Sequence, residues 1–116
     1  MSEIIIGKCI KIHSKLGPEL FESVYKTILF YELSKDSIYC ERQKPISVHY
    51  DNIKIDLGFI ADRIVENKVL LELKSIENIL NVHKKQLLTY LKLTGLKLGL
   101  LINFNSNLVK DGITEL

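Results

Sequence analysis

Residues 67–76 read NKVLLELKSI, and this stretch places a glutamate and a lysine inside the most apolar run of the chain. Its branched residues predict a β-strand. Because side chains alternate between the two faces of a strand, Glu72 and Lys74 share one face with Leu70. The other face carries Val69, Leu71 and Leu73. Burying an ionised group without a partner is costly, so this strand predicts an ion pair, a bound metal or an exposed sheet edge.

The segments around this strand predict the rest of a sheet. ISVHY (46–50) and IKIDLGFIADRIV (53–65) precede it, and the dipeptides DN and EN mark turns between the three strands, which we expect to be antiparallel. Residues 77–94 return to helical spacing, with Leu80, Leu87 and Leu91 in one stripe and Gly95 at the end. LKLGLLINF (96–104) predicts one further, buried strand.

The N-terminal third of the chain predicts two helices that meet at Gly17-Pro18. Apolar residues recur at helical spacing before the break (Ile4, Ile5, Cys9, Ile12, Leu16) and after it (Leu20, Val24, Ile28, Tyr31, Leu33). The predicted order is therefore α-α-β-β-β-α-β with a short tail. A chain of 116 residues predicts a single domain over residues 1–116.

Composition bounds the class of protein. Hydrophobic residues make up 47% and charged residues 26%, as in ordinary soluble globular proteins, and a net charge of +2 is too small to indicate nucleic-acid binding by itself. Cys9 and Cys40 lack the spacing of a zinc or iron–sulfur site. Lys8 and Lys11 interrupt the short apolar run at the N-terminus, which argues against a signal peptide or a membrane span. We expect a cytoplasmic protein.

Polar residues in the predicted elements suggest a metal site. Asp62 lies on the second strand and Glu22 in the second helix, so three carboxylates and the Lys74 ammonium can converge with Glu72. A hard cation such as Mg²⁺ prefers oxygen ligands, and phosphodiester hydrolysis needs that cation together with a group that positions water. A solvated cross-strand pair explains Glu72 and Lys74 equally well on spacing alone, and Asp62 by itself reads as a surface residue.

A second group of polar residues lies on the third predicted helix. His83, Gln86 and Tyr90 form one stripe beside the leucine stripe, so we expect Gln86 and Tyr90 to face the sheet margin near Glu72 and Lys74, with His83 at the outer end. The alternative is that Tyr90 is a core aromatic residue and Gln86 caps a backbone group.

Several stretches together resemble the GxxExxY proteins of the PD-(D/E)XK nuclease superfamily. They are IHSKLGPELFESVY (12–25), ERQKPISVHY (41–50), residues 59–104 and KDGI (110–113). The resemblance implies a restriction-endonuclease-like α/β fold, with an αβββαβ core, a central mixed four-stranded sheet flanked by helices and an extra N-terminal helix. One departure is Glu19, which stands where the motif has its glycine, whereas Glu22 and Tyr25 keep the pattern.

The resemblance also implies an active site and its chemistry. Glu22, Asp62, Glu72 and Lys74 would surround Mg²⁺ or Mn²⁺, with the three carboxylates as the metal ligands. Gln86 and Tyr90 are similar to the QxxxY motif of RecB-like nucleases. These residues predict a metal-dependent nuclease acting on DNA, with no membrane partner. The small chain suggests a homodimer. A non-cleaving nucleic-acid-binding or protein-interaction subunit on the same fold is the alternative.

Metal sharing by Asp62 and Glu72 requires a particular strand register. Directly opposed residues of an antiparallel hairpin share a face. If Asp62 and Glu72 are such a pair, the hairpin must be centred on Asn67. The sequence therefore predicts a loop of odd length such as Glu66-Asn67-Lys68, or a bulge, because a two-residue turn would place the carboxylates on opposite faces.

Overall fold

The chain folds into three helices and one five-stranded sheet. The computed structural model describes the backbone of residues 1–116 and all side chains except those at positions 43, 44, 46, 48, 56–59 and 61. The elements are α1 (Ser2–Leu16), α2 (Glu22–Lys35), β1 (Cys40–Tyr50), β2 (Ile53–Val65), β3 (Val69–Lys74), α3 (Asn81–Thr94), β4 (Leu98–Asn103), a 3₁₀ turn (Val109–Gly112) and β5 (Ile113–Glu115).

The sheet is mixed, and its strands follow the order of the sequence from β1 to β5. Neighbouring strands are antiparallel except β3 and β4, which are parallel and are connected by α3. The predicted order of helices and strands is confirmed, as is the mixed α/β fold of restriction-endonuclease-like type. The sheet has five strands instead of the predicted four, because residues 113–115 of the predicted tail pair with β4.

Helices cover both faces of the sheet. Val69, Leu71 and Leu73 pack in one apolar cluster with residues of α1 and α2, whereas Leu70 packs in a second cluster with Leu87 of α3. The alternation of faces predicted for β3 is therefore confirmed. Among the described residues, no helix combines the length and the apolar character needed to cross a membrane.

Parts of the predicted helical stripes are wrong. The buried face of α2 carries Tyr25, Leu29 and Leu33, while Tyr31 is 60% exposed. In the third helix, Leu80 is 56% exposed because α3 begins only at Asn81, four residues after the predicted start.

The ends of the N-terminal stripe are likewise not buried. Ile4 and Leu16 of α1 are exposed, whereas the middle of their predicted stripe is buried. A helix presents only a limited arc to its core, so the outer members of a wide stripe stay in solvent.

Tyr25 fixes the loop between α1 and α2. Its hydroxyl donates a hydrogen bond to the carbonyl of Gly17 and accepts one from the backbone N–H of Leu20 at 3.2 Å. Gly17 has a φ of 76°, which a residue without a Cβ adopts readily. The Tyr25 ring also stacks on Phe104 at a centroid distance of 4.3 Å. Gly17 and Tyr25 therefore fix the loop that leads into α2, at whose first turn Glu22 lies.

A three-residue turn, Glu66-Asn67-Lys68, joins β2 to β3. Glu66 and Asn67 have φ values of 53° and 55°, and Arg63 pairs with Leu71 across the turn. The ladder is therefore centred on Asn67, and the predicted register is confirmed. The paired region ends at Arg63, so Asp62 lies just beyond it.

Candidate active site

Asp62 and Glu72 bridge β2 and β3 at the point where the two strands stop pairing. The Oδ2 atom of Asp62 accepts a hydrogen bond from the backbone N–H of Leu73 at 3.0 Å. In return, the backbone N–H of Asp62 donates to the carboxyl group of Glu72. Each carboxyl group thus satisfies a backbone donor of the opposite strand. The two groups are held close together by this exchange.

Glu72 is a buried carboxyl group with an unused acceptor. The residue is only 9% exposed, and its Oε1 atom has no hydrogen-bond partner among the described residues. Burial raises the pKa of Glu72 to about 7, the Asp62 charge adds to this rise, and the Lys74 charge opposes it. At neutral pH, Glu72 therefore exchanges readily between its charged and neutral forms.

Lys26 of α2 connects Asp62 to Glu22. Its Nζ atom lies 2.6 Å from Oδ1 of Asp62 and 3.1 Å from Oε2 of Glu22. Burial lowers the pKa of Lys26, but its hydrogen bonds to the two carboxylates outweigh that effect, so the net pKa is raised. The ammonium is therefore held in its charged form. Sequence reasoning missed Lys26, although its spacing four residues after Glu22 is typical of a helical ion pair.

Lys74 lies near Glu72 without forming a close pair with it. Its side chain is half-buried, and no ion pair of Lys74 within 4.0 Å occurs among the described side chains. Its charge nevertheless lowers the pKa of Glu72. A solvated cross-strand pair does not match this arrangement, because Glu72 is buried and its Oε1 atom is not bonded to Lys74.

Tyr90 and Gln86 of α3 complete the site on one side. Tyr90 is buried, and burial raises the pKa of its hydroxyl, with a further rise from the Glu72 charge. A hydrogen bond with Gln86 lowers that pKa. Tyr90 thus lies close to the carboxylates, and the exposed Gln86 is hydrogen-bonded to the Tyr90 hydroxyl. His83 lies one turn away, where its Nδ1 atom accepts a hydrogen bond from the backbone N–H of Leu80 at 2.9 Å.

Comparison with known proteins identifies the family. A family model of the PD-(D/E)XK nuclease superfamily matches residues 1–116, the whole length of the sequence. The chain belongs to the PD-(D/E)XK nuclease superfamily. Searches of curated proteins and of solved structures found no significant match for this superfamily member.

Nucleases of this superfamily typically use divalent metals, so the donor set can be tested for its fit. Glu72 offers the buried Oε1 atom that no described group satisfies, and Asp62 is its neighbour. Mg²⁺ is commonly held by one or two carboxylates, with water and substrate phosphate as its other ligands. Two carboxylates with one unsatisfied oxygen fit such an ion.

Glu22 stands apart from this pair of carboxylates. Among the residues that the structure describes, no group of three or more Asp, Glu, His or Cys side chains is close enough to hold one metal. The Oε2 atom of Glu22 is instead bonded to Lys26. The assignment of Glu22 as a metal ligand stays a prediction, as do the catalytic roles of the other site residues.

Proposed function

We propose that this member of the PD-(D/E)XK superfamily is a nuclease that uses Mg²⁺ or Mn²⁺ to hydrolyse phosphodiester bonds in DNA. The observation that supports it most strongly is the buried, unsatisfied Oε1 atom of Glu72 beside Asp62. A buried acceptor without a partner is costly to the fold, so it indicates a ligand that supplies the missing interaction. A divalent cation is the ligand that suits two carboxylates.

The surroundings of each site residue support one role in the proposed reaction. Asp62 and Glu72 would hold the metal, which when bound supplies positive charge to the reacting phosphate and activates water. Lys74 would orient that water or stabilise negative charge that develops on the phosphate, since its ammonium is not committed to a close ion pair among the described side chains. Gln86 would position Tyr90 at the α3 side of the site.

Glu22 would act through Lys26 in this proposal. The Lys26 ammonium bonds both to Glu22 and to Asp62, so Glu22 fixes the position of the positive charge that faces Asp62. A metal held by Asp62 would supply part of the positive charge that Lys26 supplies here, and Lys26 would then be available to a phosphate of the substrate.

The same ion pair favours one alternative function. Because Lys26 lies 2.6 Å from Oδ1 of Asp62, one of the two proposed ligands already has a cationic partner. A non-cleaving nucleic-acid-binding subunit on the nuclease fold would keep this pair closed. Metal binding distinguishes the two functions, since only the nuclease needs Asp62 to exchange its partner.

We also propose that the chain is a GxxExxY protein, that it forms a homodimer and that it acts in the cytoplasm. Tyr25, which holds the Gly17 carbonyl, supports the resemblance to the GxxExxY proteins. A homodimer would give this small chain a surface long enough for a duplex. Cys9 and Cys40 are buried free thiols, which suits the reducing cytoplasm.

Cleavage and metal binding test the proposal together. Single-stranded DNA, duplex DNA and RNA are incubated with the protein in Mg²⁺, in Mn²⁺ and in EDTA, and the products are separated by length. We expect DNA cleavage that depends on the divalent ion. Lys74→Ala should lower the rate by about 10²- to 10⁴-fold while the fold stays intact. Lys97→Ala, which removes the same charge at the opposite end of β3 and β4, should cleave at the parent rate.

Metal titration distinguishes the role of Glu72 from that of Lys74. Glu72→Ala should weaken binding of Mg²⁺ in calorimetry, because it removes a ligand, whereas Lys74→Ala should not. Melting temperatures are measured alongside, since each variant also changes buried charge. Cleavage by Lys74→Ala at the parent rate would refute the assignment of the site. Failure of the parent to bind Mg²⁺ or Mn²⁺ would favour the non-cleaving subunit.

A further inference from the structure

Two arginines face each other on the sheet beside the candidate active site. Arg42 of β1 and Arg63 of β2 are directly opposed partners in the antiparallel ladder. Directly opposed residues lie on the same face, where like charges repel. An anion between the two guanidinium groups would relieve this repulsion.

Arg63 is the more deeply buried of the two. It is 5% exposed, and its Nε atom is buried without a hydrogen-bond partner among the described residues. One NH1 donor is used, by the carbonyl of Asp62 at 2.7 Å. Burial lowers the pKa of Arg63, the Asp62 charge opposes this change, and the Arg42 charge makes a smaller contribution that lowers the pKa. No ion pair of Arg63 within 4.0 Å occurs among the described side chains.

Arg42 is more exposed but is held in position. Its guanidinium lies over the ring of Phe30 at 4.2 Å from the centroid. A cation stacked on an aromatic face keeps its in-plane N–H donors available for a ligand. Arg42 is thus fixed with its hydrogen-bonding edge unused by a described carboxylate.

The two arginines line a surface cavity of about 520 Å³. Its other lining residues are Ser23, Lys26 and Thr27, all from the first turns of α2. The cavity is therefore walled by three cations and two hydroxyl side chains. Lys26 belongs to both sites, because its ammonium also bonds to Asp62.

We infer that this cavity binds a phosphate group of the nucleic-acid strand next to the phosphodiester bond that is cleaved. This inference rests on the proposed nuclease function. A phosphate accepts several hydrogen bonds and matches the fork of an arginine. The hydroxyl of Ser23 supplies a neutral donor, whereas the hydroxyl of Thr27 already donates to the carbonyl of Ser23 at 2.9 Å. The volume has room for a phosphate with its sugar.

The position of the cavity explains how it would serve the reaction. Arg63 and Asp62 are adjacent on β2 and therefore point to opposite faces of the sheet, so the cavity lies on the α2 face and the carboxylates on the α3 face. The strand would pass the end of the β2–β3 ladder, where Lys26 reaches between the two. A phosphate held by the arginines would fix which neighbouring bond meets Asp62 and Glu72.

Binding without metal tests this cavity separately from cleavage. Fluorescence anisotropy is measured in EDTA with a labelled duplex oligonucleotide, at several salt concentrations, for the parent, Arg42→Gln and Lys97→Gln. Arg42→Gln should weaken binding about tenfold and reduce the slope of log affinity against log salt by about one. Lys97→Gln removes the same charge away from the cavity and should reproduce the parent.

Arg63→Lys tests the shape of the donor group. This variant keeps the charge but removes the planar fork, so binding should weaken while the salt slope stays near that of the parent. Circular dichroism and the melting temperature check that the buried site still folds. Arg42→Gln, at an exposed position, keeps the test valid if Arg63→Lys does not fold.

The outcomes separate the cavity from the nuclease function. Parent-like affinity and slope in Arg42→Gln would overturn the phosphate site even if the protein cleaves DNA, as would failure of the parent to bind the oligonucleotide. Loss of binding in Arg42→Gln supports the site even if no cleavage is found. Oligonucleotides with and without a 5′-phosphate distinguish the source of the ligand: equal binding indicates an internal phosphate, and a difference of tenfold or more indicates a terminal one.

Discussion

Asp62 and Glu72 lie side by side, yet their environments differ. Both oxygen atoms of Asp62 have partners, one in the Lys26 ammonium and one in the backbone N–H of Leu73. Glu72 receives the backbone N–H of Asp62, but its Oε1 atom has no partner among the described residues and its pKa is raised to about 7. One carboxylate is neutralised by the chain itself, whereas the other lacks an equivalent cation.

This difference shows how a buried acidic pair can be stable without a metal and still be able to bind one. Lys26 supplies one positive charge for Asp62, which reduces the repulsion between the two carboxylates. Glu72 avoids the remaining cost by holding a proton near neutral pH. A divalent ion would take the place of that proton and compete with Lys26. Each of the following predictions changes one part of this arrangement.

The largest effect on stability is expected from Glu72→Gln, measured in EDTA. The variant keeps the shape of the side chain and removes its ionisation. At pH 8 it should be more stable than the parent by up to about 3 kcal/mol, because each unit of pKa shift corresponds to about 1.4 kcal/mol. At pH 4.5 the two proteins should differ by much less. Urea unfolding at both pH values measures the difference.

The sign of this effect follows from proton binding. The pKa of Glu72 in the folded protein, about 7, lies above the ordinary value of 4.5, so the folded state holds this proton more tightly than the unfolded state. The stabilising contribution of the proton is therefore complete below about pH 4.5 and is lost as the pH rises to about 7. Equal differences between variant and parent at both pH values would contradict the buried, protonated Glu72.

A smaller effect is expected from Lys26→Gln. Without divalent ions this variant should lose about 1–2 kcal/mol of unfolding free energy, since Asp62 and Glu22 lose their charged donor. Saturating Mg²⁺ should recover most of the loss, because the ion takes over the charge of the ammonium. Unfolding in EDTA and in Mg²⁺ gives the comparison.

Lys8→Gln is the matched control for this experiment. Lys8 is similarly buried and bonds to Asp36, away from the candidate site. Mg²⁺ should not restore the unfolding free energy that Lys8→Gln loses. If Mg²⁺ restores both variants equally, the ion acts on the whole protein and not on Asp62.

The smallest effect is expected from Gln86→Ala. The folding free energy should change by less than about 0.5 kcal/mol, because Gln86 is exposed. The pKa of Tyr90 should rise further, since the hydrogen bond with Gln86 lowers it in the parent. Ultraviolet titration of the tyrosines, with Tyr90→Phe subtracted, measures this shift. An unchanged or lower pKa would show that Gln86 does not position the hydroxyl.

The sequence could predict those features that follow from local periodicity. Alternation along β3 predicts that Glu72 lies on the face opposite to that of Leu71 and Leu73, and it needs no knowledge of distant contacts. The register that brings Asp62 beside Glu72 follows instead from the requirement that the two carboxylates share one metal ion. Family resemblance then predicts the mixed sheet, which the structure confirms.

Other features depend on contacts that periodicity does not specify. The spacing of Glu22 and Lys26 indicates a helical pair, but not that the lysine reaches Asp62 from the other face of the sheet. The opposition of Arg42 and Arg63 depends on a register shift in the β1–β2 hairpin. Continued without a shift from the pair His49–Lys54, the ladder would set Arg42 opposite position 61. Pairing near a turn therefore does not predict pairing at the base of the hairpin.

The three-residue turn at Glu66-Asn67-Lys68 has a consequence for how such a protein tolerates insertions and deletions in evolution. Loss or gain of one residue within β2 or β3, between this turn and the carboxylates, would shift the pairing by one residue and place Asp62 and Glu72 on opposite faces of the sheet, although both remain in the sequence. A change within the turn itself would leave Val65 paired with Val69 and keep the two carboxylates opposed. Related chains that keep this chemistry should therefore vary the length of the turn and not that of the strands, or add a bulge that compensates.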